Sequence, residues 1–145
     1  MERAAVNKTE PVQQDWDSLP VRVYYEDTDA QGVVYFANYL RFMERGRTEW
    51  LRTRGFEQDS LRREQNLLFS LASTAVRFHC PAKFDDRLLV RTRVERVSGA
   101  RVIFNQAVHR DDADEELLCS ADCEVACISA DEFKPRRVPK GLLDK

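Results

Sequence analysis

Tyr24-Tyr25-Glu26-Asp27-Thr28-Asp29-Ala30-Gln31-Gly32-Val33-Val34-Tyr35-Phe36-Ala37-Asn38-Tyr39 changes character three times. An alternating segment ends at Glu26. An acidic turn follows, built on Asp27, Asp29 and Gly32. A short apolar run then leads into the start of a helix. Aspartate and glycine are turn formers, the first by bonding its own backbone and the second by tolerating positive φ. The free N–H groups of a helix start lie within ten residues of Asp29. A carboxylate close to apolar walls and unpaired N–H donors suits acyl transfer. The acid attacks a carbonyl or activates water, and the donors hold the oxyanion that forms.

Asn38 is a favoured helix N-cap type. After it, Tyr39, Phe42, Met43, Gly46 and Trp50 recur at three- and four-residue spacing, which predicts one buried helix face. Arg41, Glu44, Arg45, Arg47, Glu49 and Arg52 carry the charge around it. Gly55 is the expected stop. Gly46 within the helix costs about 1 kcal/mol relative to alanine, so close approach of a neighbouring element is expected there.

Upstream, Val21, Val23 and Tyr25 alternate with polar or exposed types and predict a strand. Residues 1–18 are polar and aperiodic, and are expected to form a flexible arm ahead of a single domain at 19–145. Downstream, residues 57–65 suggest a short second helix. Strands are expected at 67–79, 87–97, 101–110 and 115–129. Ser98-Gly99 and Asp111 to Asp114 supply the hairpin connections. One strand, one long helix and a run of antiparallel strands make an α+β fold of about five strands wrapped around the helix.

The four cysteines are Cys80, Cys119, Cys123 and Cys127. The last three fall in a segment of period two, Leu117 to Cys127. On a strand, residues four apart stand about 13 Å from each other. They cannot share a zinc ion or form a disulfide, so they are expected to be small core residues in a reducing cytoplasm. No metal or other cofactor is expected.

The chain has 145 residues, 43% of them apolar and 33% charged, with a net charge of -2. That length suits one domain. The weak negative charge disfavours nucleic acid as a partner. No apolar stretch is long enough to span a bilayer. The densest basic cluster is Lys134, Arg136, Arg137 and Lys140. It reads either as a solvated tail or as a contact for an anionic ligand. His79 and His109 are the only histidines and both fall on or beside predicted strands. Glu44 and Glu49 are expected to pair with helix arginines.

The segment YEDTDAQGVVYFANYLRFMERGRTEWL resembles the active-site segment of the hotdog-fold acyl-CoA thioesterases of the 4-hydroxybenzoyl-CoA thioesterase/YbgC type. Pro81-Ala82-Lys83-Phe84-Asp85-Asp86 is a second, weaker match. Together they extend the resemblance over roughly residues 19 to 139. It implies a hotdog fold and hydrolysis of an acyl-CoA to a carboxylate and coenzyme A. Asp29 is implied as nucleophile or general base, and Asp27 as structural. A backbone donor near Tyr35, Phe36, Ala37, Asn38 or Tyr39 is implied as the oxyanion site. Phe36 departs from the YbgC-like members that carry histidine there, and matches the 4-hydroxybenzoyl-CoA branch. Arg136 and Arg137 become candidates for the coenzyme A phosphates. The resemblance also implies a homodimer or homotetramer with sites between subunits. The alternative reading is a non-catalytic module that binds acyl thioesters on the same fold.

Overall fold

The computed structural model describes residues 16–142. The arm expected at 1–18 lies outside the described residues over 1–15. Its last part does not stay an arm, because the first strand, β1, spans Asp17–Arg22. Sequence reading placed this strand at Val21 to Tyr25, and the difference has a physical cause. β1 pairs with β3 from Asp17 opposite Thr92 to Arg22 opposite Arg87. Asp17, Leu19 and Val21 are therefore the half-buried set, with Ser18, Pro20 and Arg22 exposed. Pro20 lacks an N–H and is tolerated because β1 is an edge strand. Asp17 is held by Arg54, whose Nη1 lies 2.8 Å from its carboxylate.

The remaining elements are α1 (Asn38–Thr53), α2 (Gln58–Gln65), β2 (Leu67–Phe78), β3 (Arg87–Ser98), β4 (Arg101–Arg110) and β5 (Leu117–Ser129). All pairings are antiparallel, in the order β1-β3-β4-β5-β2. This is the five-stranded α+β arrangement expected from the sequence. α1 is 16 residues long, about 24 Å. Gly55 follows its end at φ +88. Asn38 is not the cap. Ala37 holds that position without a side-chain bond, and Asn38 is the first helical residue.

One face of the sheet packs on α1. Leu88, Val90, Thr92, Val102, Phe104, Gln106 and Val108 are buried on β3 and β4. Cys119, Ala121, Cys123, Val125 and Cys127 are buried on β5, the alternation that the cysteine spacing predicted. Burial pushes the Cys119 thiol up to about 12. α1 supplies Tyr39, Phe42, Met43, Gly46 and Trp50.

The helix comes closest at Gly46. A Cβ there would stand 2.7 Å from Thr92 Oγ1, 2.9 Å from Val90 Cγ1 and 3.0 Å from Gln106 Nε2. The Gln106 amide donates to Met43 O at 2.8 Å and to Thr92 Oγ1 at 2.9 Å. Its Oε1 accepts from Arg47 Nη1 at 3.0 Å. A buried amide so satisfied carries little net penalty, whereas an unsatisfied one costs about 1–3 kcal/mol.

The basic segment after β5 is docked rather than free. Pro135 bridges to Ile128, and Val138 N–H donates to Gly99 O at 3.0 Å. Val138 and Leu142 are buried. Among the described residues no helix is long and apolar enough to cross a membrane.

Gly46→Ala is predicted to destabilise the fold by about 2 kcal/mol, because overpacking outweighs the gain in helix propensity. Chemical denaturation reads this as a lower midpoint. A higher midpoint, as propensity alone would give, refutes the close-contact account.

Candidate active site

Local backbone bonding builds the acidic loop. Residues Tyr25–Asp27 form one 3-10 turn. Asp27 Oδ2 accepts from Tyr24 N–H at 2.8 Å and closes it, the structural role expected for this carboxylate. A bridge between Thr28 and Val34 then closes the next loop. Within it, Asp29 N–H donates to Val33 O at 2.9 Å and Gly32 N–H donates to Asp29 O at 3.0 Å. Gly32 sits at φ +80, a conformation that favours glycine.

Asp29 itself is exposed. Its Oδ1 accepts from Gln31 N–H at 2.9 Å, an Asx turn that fixes the carboxylate direction. No cation pairs with it among the described residues. The other oxygen is left for water or substrate.

Asn38 ties this loop to α1. Its Nδ2 donates to Asp27 O at 2.8 Å, and the same carbonyl accepts from Tyr35 N–H at 2.9 Å. The buried amide thus serves the loop rather than the helix end. Asn38 N–H donates to Tyr35 O, and Tyr39 N–H to Phe36 O. Of the donors in the expected oxyanion neighbourhood, only the N–H groups of Phe36 and Ala37 remain without a partner among the described residues. They stand at the N-terminal end of α1, where the helix dipole favours negative charge. Beside them the Phe36 ring is 59% exposed. It meets Phe78 edge-on with centroids 6.2 Å apart. Tyr35 lies 4.8 Å from Phe36.

The Pro81 to Asp86 segment, the second part of the resemblance, is the support for this loop. Val34 N–H donates to Ala82 O at 2.8 Å, and Phe84 N–H donates to Gly32 O at 3.2 Å. Ala82 N–H donates to the buried Tyr39 hydroxyl at 3.1 Å. Burial raises the pKa of that hydroxyl more than the Ala82 bond lowers it. Phe84 also stacks on Tyr25, centroids 4.0 Å apart. Arg110 holds the segment from below. It pairs with Asp86, and its Nη2 lies 3.2 Å from Glu116. Sequence reading missed Tyr39 and Arg110 as supports, because their partners are distant in the chain and no local pattern marks them.

The other candidates lie elsewhere. Arg136 Nη1 donates to Gln65 O and Asn66 O at 3.3 and 2.9 Å, where α2 ends. Arg137 is exposed beside it. Both stand by the Leu67 end of β2, whereas Phe36 meets the Phe78 end, so one chain does not join these arginines to Asp29. Glu49 pairs with Arg52 at 3.1 Å, as expected. Glu44 is exposed and makes no ion pair among the described residues. His79 follows β2 and reaches Ser120 Oγ at 3.0 Å. His109 lies on β4, where burial lowers its pKa. Neither histidine approaches the loop through a hydrogen bond.

A family model described as the thioesterase-like superfamily matches residues 23–145. The acyl-CoA thioesterase YbgC of Haemophilus influenzae is 48% identical over 123 residues, 85% of this chain and 88% of that protein. The acyl-CoA thioester hydrolase YbgC of Escherichia coli O157:H7 is 41% identical over 86% of this chain and 90% of that protein. A crystal structure of a probable thioesterase from Bartonella henselae superposes with a TM-score of 0.80 at 39% identity. It covers 86% of this chain and 99% of that one. The chain belongs to the thioesterase-like superfamily and has the hotdog fold.

Asn38→Ala is predicted to free the acidic loop from α1. A lost buried hydrogen bond costs about 1–3 kcal/mol, and turnover of any thioester should fall with it. Hydrogen exchange should show faster opening at Tyr35. Unchanged exchange there removes Asn38 as the tie.

Proposed function

We propose that this chain hydrolyses acyl-CoA thioesters, with Asp29 as the reacting carboxylate. The observation that carries this reading is the pairing of a directed, uncompensated Asp29 with the two unpartnered N–H groups of Phe36 and Ala37. The thioester carbonyl would lie between them. Asp29 would either attack the carbonyl carbon, forming an anhydride that water then opens, or take a proton from a water that attacks directly. In both routes the carbonyl oxygen gains negative charge and the Phe36 and Ala37 donors stabilise it. The thiol of coenzyme A leaves with a proton. Phe36 in place of histidine leaves the oxyanion to backbone donors alone. Tyr35 and the Phe36 ring offer an apolar surface to the acyl group, and Asn38 positions the loop.

An exposed Asp29 is poorly suited to chemistry that gains from exclusion of water. Two features support a second subunit as its cover. Among the described residues β2 is an edge strand of 12 residues with one unpaired side. Phe36, Phe78 and Leu71 expose apolar surface along it. Antiparallel pairing of two β2 edges would set the Leu67 end of one subunit beside the Phe78 end of its partner. Arg136 and Arg137 of one subunit would then reach toward the other's site, where coenzyme A brings its phosphates. We therefore propose a homodimer, alone or within a tetramer. The four free cysteines fit a reducing cytoplasm.

Two measurements test this. Asp29→Asn keeps shape but removes both nucleophile and base, so free-thiol release from acyl-CoA should fall about 10²-fold or more, and Asp27→Asn should fall less. Near-normal release by folded Asp29→Asn removes the residue from the mechanism. Sedimentation at micromolar concentration should show dimers or tetramers, and an active monomer would refute the assembly.

A further inference from the structure

The end of the sheet that carries the acidic loop also carries an open aromatic concavity. It has a volume of about 740 Å³ and is lined by residues 22–26 with Phe84 and Asp85. Tyr24 is 61% exposed, Tyr25 76% and Phe84 40%. Apolar groups on a monomer surface are ordinarily scattered singly, and three rings left open at one place mark a contact surface. The rings are also held. Tyr24 N–H donates to Asp27 Oδ2 at 2.8 Å, and Thr28 Oγ1 donates to Tyr25 O at 2.9 Å. Tyr25 and Phe84 stack with their planes 11° apart. Asp85 N–H donates to Val23 O, and Val23 N–H to Asp86 O, both at 2.9 Å. A fixed aromatic surface loses little side-chain freedom when a partner covers it.

The charge around the concavity decides what fits it. Segments 23–37, 79–86 and 111–116 are the connections at this end of the sheet. They hold three, two and five carboxylates, ten together, against the single Lys83. Arg22, Arg77, Arg87, Arg91 and Arg110 stand on the adjoining strands, so the acids remain in excess. The whole chain carries only -2, which makes this excess local. Inside the concavity Arg22 is already matched by Asp85 at 3.0 Å. Glu26 is exposed and makes no ion pair among the described residues. Beside it stand aromatic faces, whose negative potential also attracts cations. A polyanion or an acidic protein would be repelled here. A purely aliphatic occupant would cover the rings and leave Glu26 desolvated without a partner.

We propose that this concavity is a docking site for an arginine-bearing segment of a partner protein. A guanidinium lies on the open face of Tyr25 and bonds the Glu26 carboxylate, while Tyr24 and Phe84 cover the apolar stem of the same side chain. Arginine is favoured over lysine because its planar head both stacks on a ring and bonds a carboxylate through two N–H groups. The chain's own basic cluster is a poor occupant. Pro135 bridges to Ile128, Val138 N–H bonds Gly99 O, and Arg136 bonds the end of α2, so that segment is held against its own sheet. The site is independent of the hydrolase reading, since nothing in it uses Asp29.

The test titrates the full chain with fluorescein-labelled tetra-arginine, tetralysine and tetraglutamate peptides at low salt and reads anisotropy. Tetra-arginine should bind, tetralysine should bind about threefold or more weaker, and tetraglutamate should not bind. Tyr24→Ser combined with Tyr25→Ser leaves the charge unchanged and should weaken tetra-arginine about tenfold. Glu26→Gln should weaken it about fivefold. Asp114→Asn removes one charge outside the concavity and should change the affinity less than about twofold. If the double tyrosine variant does not fold, the last two variants decide, a larger loss at Glu26 supporting the site and an equal loss overturning it. Absence of tetra-arginine binding overturns the proposal. Binding that ignores the tyrosine substitutions, or that treats arginine and lysine alike, belongs to diffuse charge and overturns it too. Self-association that salt disperses, that blocks the peptide and that the tyrosine substitutions abolish would give the concavity to a second copy, and also overturns it.

Discussion

The contact at Gly46 governs this structure. Thr92, Val90 and Gln106 leave no room for a Cβ there. The helix therefore has one depth and little freedom to slide. That depth is also chemically checked, because Gln106 must reach Met43 O, Thr92 and Arg47 together. A helix moved outward by one side-chain layer would strand a buried amide at a cost of about 1–3 kcal/mol. Placing the middle of α1 also places its first turn. The two unpartnered donors at Phe36 and Ala37 thus inherit their position from packing two turns away.

A second set of ties fixes Asp29 against that turn. Arg110 on β4 pairs with Asp86, and Asp86 Oδ2 in turn accepts from Lys83 N–H at 2.9 Å. Ala82 and Phe84 of the same segment bond Val34, Tyr39 and Gly32. Asn38 closes the circuit by bonding Asp27 O. Each bond contributes only about 1 kcal/mol net, but together they join sheet, support segment, acidic loop and helix. A carboxylate on a surface loop gains the rigidity of the sheet in this way. Such rigidity is what positioning a reacting group requires.

Legibility in the sequence followed the range of the interactions. Period-two patterning placed β2 to β5 within two residues, because each side chain's fate there depends on its own strand. The helix face was equally plain from Tyr39 to Trp50. Gly46 announced a close neighbour without saying which, since Thr92 and Gln106 are remote in the chain. The first strand was misplaced because Val23 and Tyr25 continue its alternation, while its true extent is set by the partner residues Arg87 to Thr92. Asn38 was misread as a cap because its type suits that role, and only the fold shows Asp27 O within reach. The acid loop was legible as a motif, and its resemblance pointed to Asp29. The support from Arg110 and Tyr39 was not legible, being made of pairs 24 and 43 residues apart.

The exposure of Asp29 has the same origin as the open edge of β2. A five-stranded sheet curved around one helix buries β3, β4 and β5 well, but α1 is too narrow to shield β2. Apolar residues accordingly collect where the helix does not reach, at Leu71, Phe78 and Phe36. Surface of this kind is favourable to bury, at about 25 cal/mol per Å². An unpaired strand edge beside it adds backbone donors and acceptors in search of partners. The fold therefore concentrates its unmet needs along one border, and the acidic loop stands at the end of that border. In the dimer proposed above, completing the edge and enclosing Asp29 would be a single event. The driving force for that assembly would come from apolar area and strand pairing, so the site residues themselves would need to contribute nothing to it. They would be left free to keep the unpaired oxygen and unpaired N–H groups on which the proposed chemistry depends.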